Sequence, residues 1–61
     1  MRRLTETQLF EIFDEERADG LVHLPYQGCE DYYAIFNYWL GTKLGDGTFI
    51  EEDSTGNIYL V

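Results

Sequence analysis

The residues able to do covalent chemistry in this chain are few and stand apart. His23 is the only imidazole and Cys29 the only thiol. General acid or base work needs a positioned partner for the proton, and His23 has no Ser or Cys beside it, so the expectation is a core-edge or surface histidine. Cys29 would gain thiolate character at a helix N-terminus, but Glu30 and Asp31 directly follow it and oppose that shift. It is read as a small buried hydrophobe. Two soft ligands do not fill a zinc site, which takes four. The carboxylate runs Asp14-Glu15-Glu16 and Glu51-Glu52-Asp53 lack the alternating ligands and central glycine of a calcium loop. Asp46, between Gly45 and Gly47, is one carboxylate in a tight turn, where Asp is favoured for backbone reasons. No glycine spacing matches a phosphate-binding loop. The sequence therefore predicts no catalytic residue, no metal and no cofactor: a protein that binds rather than reacts.

What the carboxylates can do together is electrostatic. Twelve acidic residues stand against four basic ones, a formal net charge of −8 on 61 residues. Arg2, Arg3, Arg17 and Lys43 are too few to neutralise a phosphate backbone, so direct binding to nucleic acid is excluded, and an anionic membrane surface for the same reason. The acids are clustered. Glu11 and Glu15, four residues apart, would sit about 6 Å apart along a helix axis, close to the roughly 6.8 Å of two phosphate steps on one DNA strand. Asp14 lies alongside, Glu30-Asp31 form a second group and Glu51-Glu52-Asp53 a third. On one side of a fold, these would present a band of charge resembling a nucleic-acid backbone. Tyr38 is expected outside the core, where its ring could stack on an arginine of a basic partner. Tyr26, in a turn, is a weaker version of the same idea.

The elements that must position these residues follow from periodicity and turn chemistry. So short a chain buries only about 60% of the surface its unfolded form exposes. It has no second cysteine to staple it, so the aromatic residues, 16% of the chain, have to build the core. Thr5 followed by Gln8 spells a capping box, and Leu4 with Leu9 a hydrophobic staple. Leu9, Phe10, Ile12 and Phe13 share one side of a helix spanning about 6–18, opposite Glu11, Asp14 and Glu15, and Gly20 is placed to stop it. Residues 21–24 read as a brief strand or extended segment before the turn Pro25-Tyr26-Gln27-Gly28. A second helix is expected over about 29–40, closed by Gly41. Tyr32, Tyr33, Ile35, Phe36, Trp39 and Leu40 form its apolar face, and Glu30-Asp31 its first turn. Residues 42–44, 48–51 and 58–61 read as strands joined by Gly45-Asp46-Gly47 and Ser54-Thr55-Gly56-Asn57. The predicted class is α+β: one domain over 1–61, in the order α-β-α-β-β-β, with two helices on one face of a small antiparallel meander.

No apolar run approaches the roughly 20 residues of a membrane span. Arg2-Arg3 lead into polar and acidic residues rather than a signal-peptide core, and a lone cysteine suits a reducing compartment. The expectation is a cytoplasmic protein. In size, charge and absence of reactive residues the chain resembles the small acidic proteins of bacteriophages and mobile elements, anti-CRISPR and DNA-mimic proteins among them. That resemblance implies an inhibitor occupying a basic surface of a host nuclease, CRISPR complex, polymerase or repair enzyme. The expected contact residues are Glu11, Asp14, Glu15, Glu30, Asp31, Tyr38, Glu51, Glu52 and Asp53. The alternative is a small structural or adaptor module that self-associates, for example as a homodimer, through Tyr38, Tyr26 or a sheet edge near Val61.

Overall fold

The computed structural model describes residues 2–52 and 56–61. The first helix, α1 (Glu6–Ala18), forms where its caps predict. Thr5 is extended, its Oγ1 accepts from the Gln8 amide at 3.2 Å, and Gln8 Oε1 accepts from the Thr5 amide at 2.9 Å. At the other end Gly20 takes a φ of 73°, which a side chain would resist. Its N–H donates to Arg17 O at 3.1 Å, and the Leu21 N–H donates to Glu16 O at 2.9 Å. Carbonyls that the last turn would leave open are thereby satisfied.

The second helix, α2 (Tyr32–Gly45), both starts and ends later than the sequence pattern suggests. Gly28, at φ 85°, turns the chain so that the Cys29 N–H donates to Tyr26 O at 3.2 Å, outside the helix. Asp31 then caps: its Oδ1 accepts from the Tyr33 and Ala34 amides at 3.0 and 3.2 Å. Glu30 and Asp31 are thus the approach and cap rather than the first turn. Gly41 does not close the helix. A glycine inside a helix costs about 1 kcal/mol, but stopping there would withdraw Leu44, which packs against the core, and Lys43, which meets Glu16 at 3.1 Å. Residues 42–44 are therefore helical and not a strand, and the turn around Asp46 and Gly47 follows a helix.

Three short strands complete the fold: β1 (Arg2–Leu4), β2 (Phe49–Glu51) and β3 (Ile58–Leu60). They form an antiparallel sheet in the order β1-β3-β2. The α+β class is as expected, two helices with a three-stranded antiparallel sheet, but the third strand comes from the N-terminal residues instead of 42–44. Register pairs Leu4 with Ile58 and Leu60 with Phe49. Because side chains alternate across a strand, Leu4, Ile58, Leu60 and Phe49 face the helices, while Arg3, Tyr59 and Ile50 face the opposite way. β3 is central, so the sheet edges are β1 and β2, and the Val61 N–H donates to Thr48 O at 3.3 Å. Leu21–Leu24 join neither edge and run as an irregular, largely exposed segment. In the second predicted turn, Ser54 and Thr55 lie outside the described residues.

The core is an aromatic stack between the helices. Phe13 is fully buried, with ring centroids 5.3, 5.2 and 5.3 Å from Tyr32, Phe36 and Trp39. Phe10 stacks on Phe36 at 4.1 Å, and Trp39 meets Phe49 of the sheet at 5.6 Å. Rings of this size bury about 150–250 Å² each, which is how so short a chain assembles a core. Phe10 also meets Tyr33, and Glu16 meets Trp39 and Lys43, so contacts between the helices run from the second turn of α1 to its last. Among the described residues no helix is long and apolar enough to cross a membrane.

Candidate protein-binding surface

The acids of α1 fall into two groups according to what faces them. Leu9 and Phe13 point into the core, which turns Glu11 and Glu15 to the opposite side of the helix, where both are exposed. Among the described residues neither side chain has an ion pair or a hydrogen bond. Arg17 and Lys43, the cations beside the C-terminal half of α1, are committed elsewhere: Arg17 Nη1 lies 3.8 Å from Asp14 and Lys43 Nζ 3.1 Å from Glu16.

Asp14 and Glu16 occupy the flanks of α1 and tie it to α2. Asp14 Oδ1 accepts from the Tyr32 hydroxyl at 2.8 Å, and the Arg17 guanidinium lies over the Tyr32 ring at 5.1 Å and the Phe13 ring at 5.5 Å. Desolvation first, and then the bond to the Asp14 carboxylate, hold the Tyr32 hydroxyl above the usual tyrosine range. Glu16 Oε1 accepts from the indole N–H of the buried Trp39 at 3.3 Å as well as from Lys43. Glu16 is not among the contact residues expected from the sequence. The signal was available: Glu16 falls seven residues after Leu9 and three after Phe13, on the arc where the helical period demands an apolar side chain. An acid there needs a partner from another element.

The other predicted contact residues divide similarly. Asp31 spends one carboxylate oxygen on its cap, and Glu30 just before it is exposed. Since Tyr32 follows Asp31 and reaches Asp14, this pair adjoins the middle of α1. Glu51 lines a shallow depression at the start of α1 together with Arg3, Glu6 and Leu9. Glu52 Oε2 accepts from the Tyr59 hydroxyl at 3.0 Å. Asp53 lies outside the described residues. α1 is thus the element along which the clusters connect: Glu6 and Glu51 at its start, Glu11 and Glu15 on its outer side, Asp14 with Glu30 and Asp31 farther along.

Tyr38 stands on the other flank, 43% exposed, at a cleft of about 310 Å³ whose lining includes Glu16, His23, Trp39, Lys43 and Asp46. Tyr33, expected on the apolar face, is 66% exposed: it lies at the margin of that face, beyond the reach of the sheet. His23 is exposed, and Cys29 is buried. The Tyr26 hydroxyl is held above its ordinary range, first by its hydrogen bond to the Cys29 thiol. Asp46 Oδ1 accepts from the Thr48 amide at 2.9 Å, and hydrogen bonding from Thr48 holds this carboxyl below its usual range. Among the described residues no three His, Cys, Asp or Glu side chains converge as a metal site. Comparison with known proteins finds no matching family model, no matching curated protein and no matching solved structure.

Proposed function

We propose that the chain is a non-enzymatic acidic binding protein. In this reading the outer side of α1 occupies the basic, nucleic-acid-binding surface of a partner protein, as a phage- or mobile-element-type inhibitor would in its host's cytoplasm. The observation that carries the proposal is the unopposed pair Glu11 and Glu15. Arg17 and Lys43 serve Asp14 and Glu16 instead, so neither screens the outer pair. Natural surfaces intersperse both signs unless a single-sign field has a use. The field from −8 charges would speed encounter with a basic groove and select against acidic partners, which is the main contribution of electrostatic complementarity. Asp14, Asp31 and Glu52, which also bond within the fold, and the exposed Glu30 and Glu51 extend the field around the central pair.

The test is capture from a lysate of the source cell at low salt, with the wild-type chain and the E11Q/E15Q double variant side by side. The proposal expects nucleic-acid-handling proteins that wild type retains, that duplex DNA or raised salt releases, and that the double variant loses. Retention of the same proteins by the double variant, or release by neither DNA nor salt, contradicts it.

One observation favours self-association as a second reading. The sheet face turned away from the helices carries Ile50 and Val61, 42% and 70% exposed. Sedimentation at micromolar concentration separates the readings, since a strict monomer removes this one.

A further inference from the structure

The cleft beside Tyr38 joins residues that lie far apart in the chain: Glu16 from α1, Leu21 and His23 from the connection, Tyr38, Trp39 and Lys43 from α2, and Asp46 after it. Three features define what it accepts. The first is charge. Lys43 is already drawn to Glu16 at 3.1 Å with most of its side chain covered, so this site stabilises a cation. Asp46 adds a second carboxylate, whose Oδ1 accepts from the Thr48 amide at 2.9 Å. An anionic guest would meet this in a chain of net charge −8. The second feature is aromatic surface. Tyr38 is 43% exposed, and Trp39, 3% exposed, is held by its indole N–H on Glu16. The third is size. At about 310 Å³ the cleft lies at the small end of the roughly 300–1,000 Å³ range of ligand pockets, enough for one long side chain.

We infer that this cleft receives an arginine side chain of the basic partner, its guanidinium against the exposed Tyr38 ring and its charge toward Asp46 and Glu16. Arginine suits it better than lysine because the guanidinium is planar, weakly hydrated and stacks on aromatic faces, whereas an ammonium holds its water. The inference rests on the proposed function, which supplies the basic partner, and deepens it by naming what that partner inserts. Glu11 and Glu15 do not line the cleft, and Glu16, its one residue from α1, projects about 100° around the helix from Glu15. The two contacts are therefore separable.

Trp39 is the only tryptophan and lines the cleft, so its emission reads occupancy. The experiment titrates the full chain at low salt with hexa-arginine and hexa-lysine peptides of equal charge. The expected result is saturable change in Trp39 emission with hexa-arginine and an affinity about fivefold or more above that for hexa-lysine. Y38A and D46N each lose that preference and the emission change. D46N keeps an oxygen for the Thr48 amide, so it remains informative where Y38A fails to fold. E11Q/E15Q weakens both peptides alike and retains the preference. Equal affinities with unmoved emission overturn the cleft assignment, as does failure of both peptides to bind. If E11Q/E15Q still weakens binding in the first case, the acidic-surface reading survives alone. An intact arginine preference that E11Q/E15Q leaves at full strength sinks that reading and keeps the cleft.

Discussion

Glu11 and Glu16 lie on the same helix and carry the same charge, yet they do different work. Glu16 sits at the boundary with α2, where a buried indole N–H and an ammonium converge on one carboxylate oxygen. Glu11, like Glu15, stands on the opposite side, with no ion pair or hydrogen bond among the described residues. Asp14 belongs with Glu16, since the Tyr32 hydroxyl and Arg17 both reach it. Net charge counts these acids equally. The structure separates them by what each would lose on removal: flank acids leave a buried or partly buried donor unmatched, whereas outward acids lose only mutual repulsion. A surface meant for a partner should hold charges of the second kind.

The sharpest way to break this comparison starts from the inner side of α1. Phe13 is fully buried among Tyr32, Phe36 and Trp39, so F13A should destabilise by about 3–5 kcal/mol, a large fraction of what a small domain has. Urea denaturation should find the variant largely unfolded without denaturant. Next is E16A, which strands the indole N–H of Trp39. Bonds to charged groups contribute about 1.5–3 kcal/mol, and exposed ion pairs far less. For this partly covered carboxylate a loss of about 1–2 kcal/mol is expected. No change in the denaturation midpoint would place Glu16 with Glu11 and erase the distinction.

A smaller effect concerns Asp14. Desolvation first, and then the bond to Asp14, hold the folded Tyr32 pKa above the unfolded value. A raised pKa means the stabilisation is fully present below about 10, the unfolded tyrosine value, and is lost as pH rises through the folded value. The melting temperature of the wild type should therefore fall more steeply above pH ~10 than that of Y32F. Parallel curves would show that the Asp14 contact does not contribute.

How far the sequence carried this account depends on the kind of signal involved. α1 was legible at both ends because its capping box and its glycine stop act within a few residues. The ends of α2 were not. Gly41 carried a local stop signal that Leu44 and Lys43 override through contacts with other elements. Asp31 lost the reading to Glu30 and Cys29 because a cap is settled by where the chain turns, here at Gly28. β1 was missed since three residues with two arginines show no alternation, and its partner lies at the far end of the chain. Of the binding surface, Glu11 and Glu15 could be placed by helical period alone. The roles of Asp14 and Glu16, and the cleft beside Tyr38, depend on how α1 meets α2, which no local pattern encodes.

The most direct measurement pairs stability with affinity. Melting temperature, and affinity for the captured partner across a salt series, are recorded for wild type and E11Q/E15Q. The account predicts an unchanged or slightly raised melting temperature. Affinity should fall about fivefold to tenfold at low salt, about 1 kcal/mol, and the difference should fade as salt screens it. Equal affinity of the two proteins at every salt concentration would contradict the assignment of the outer side of α1 as the binding surface.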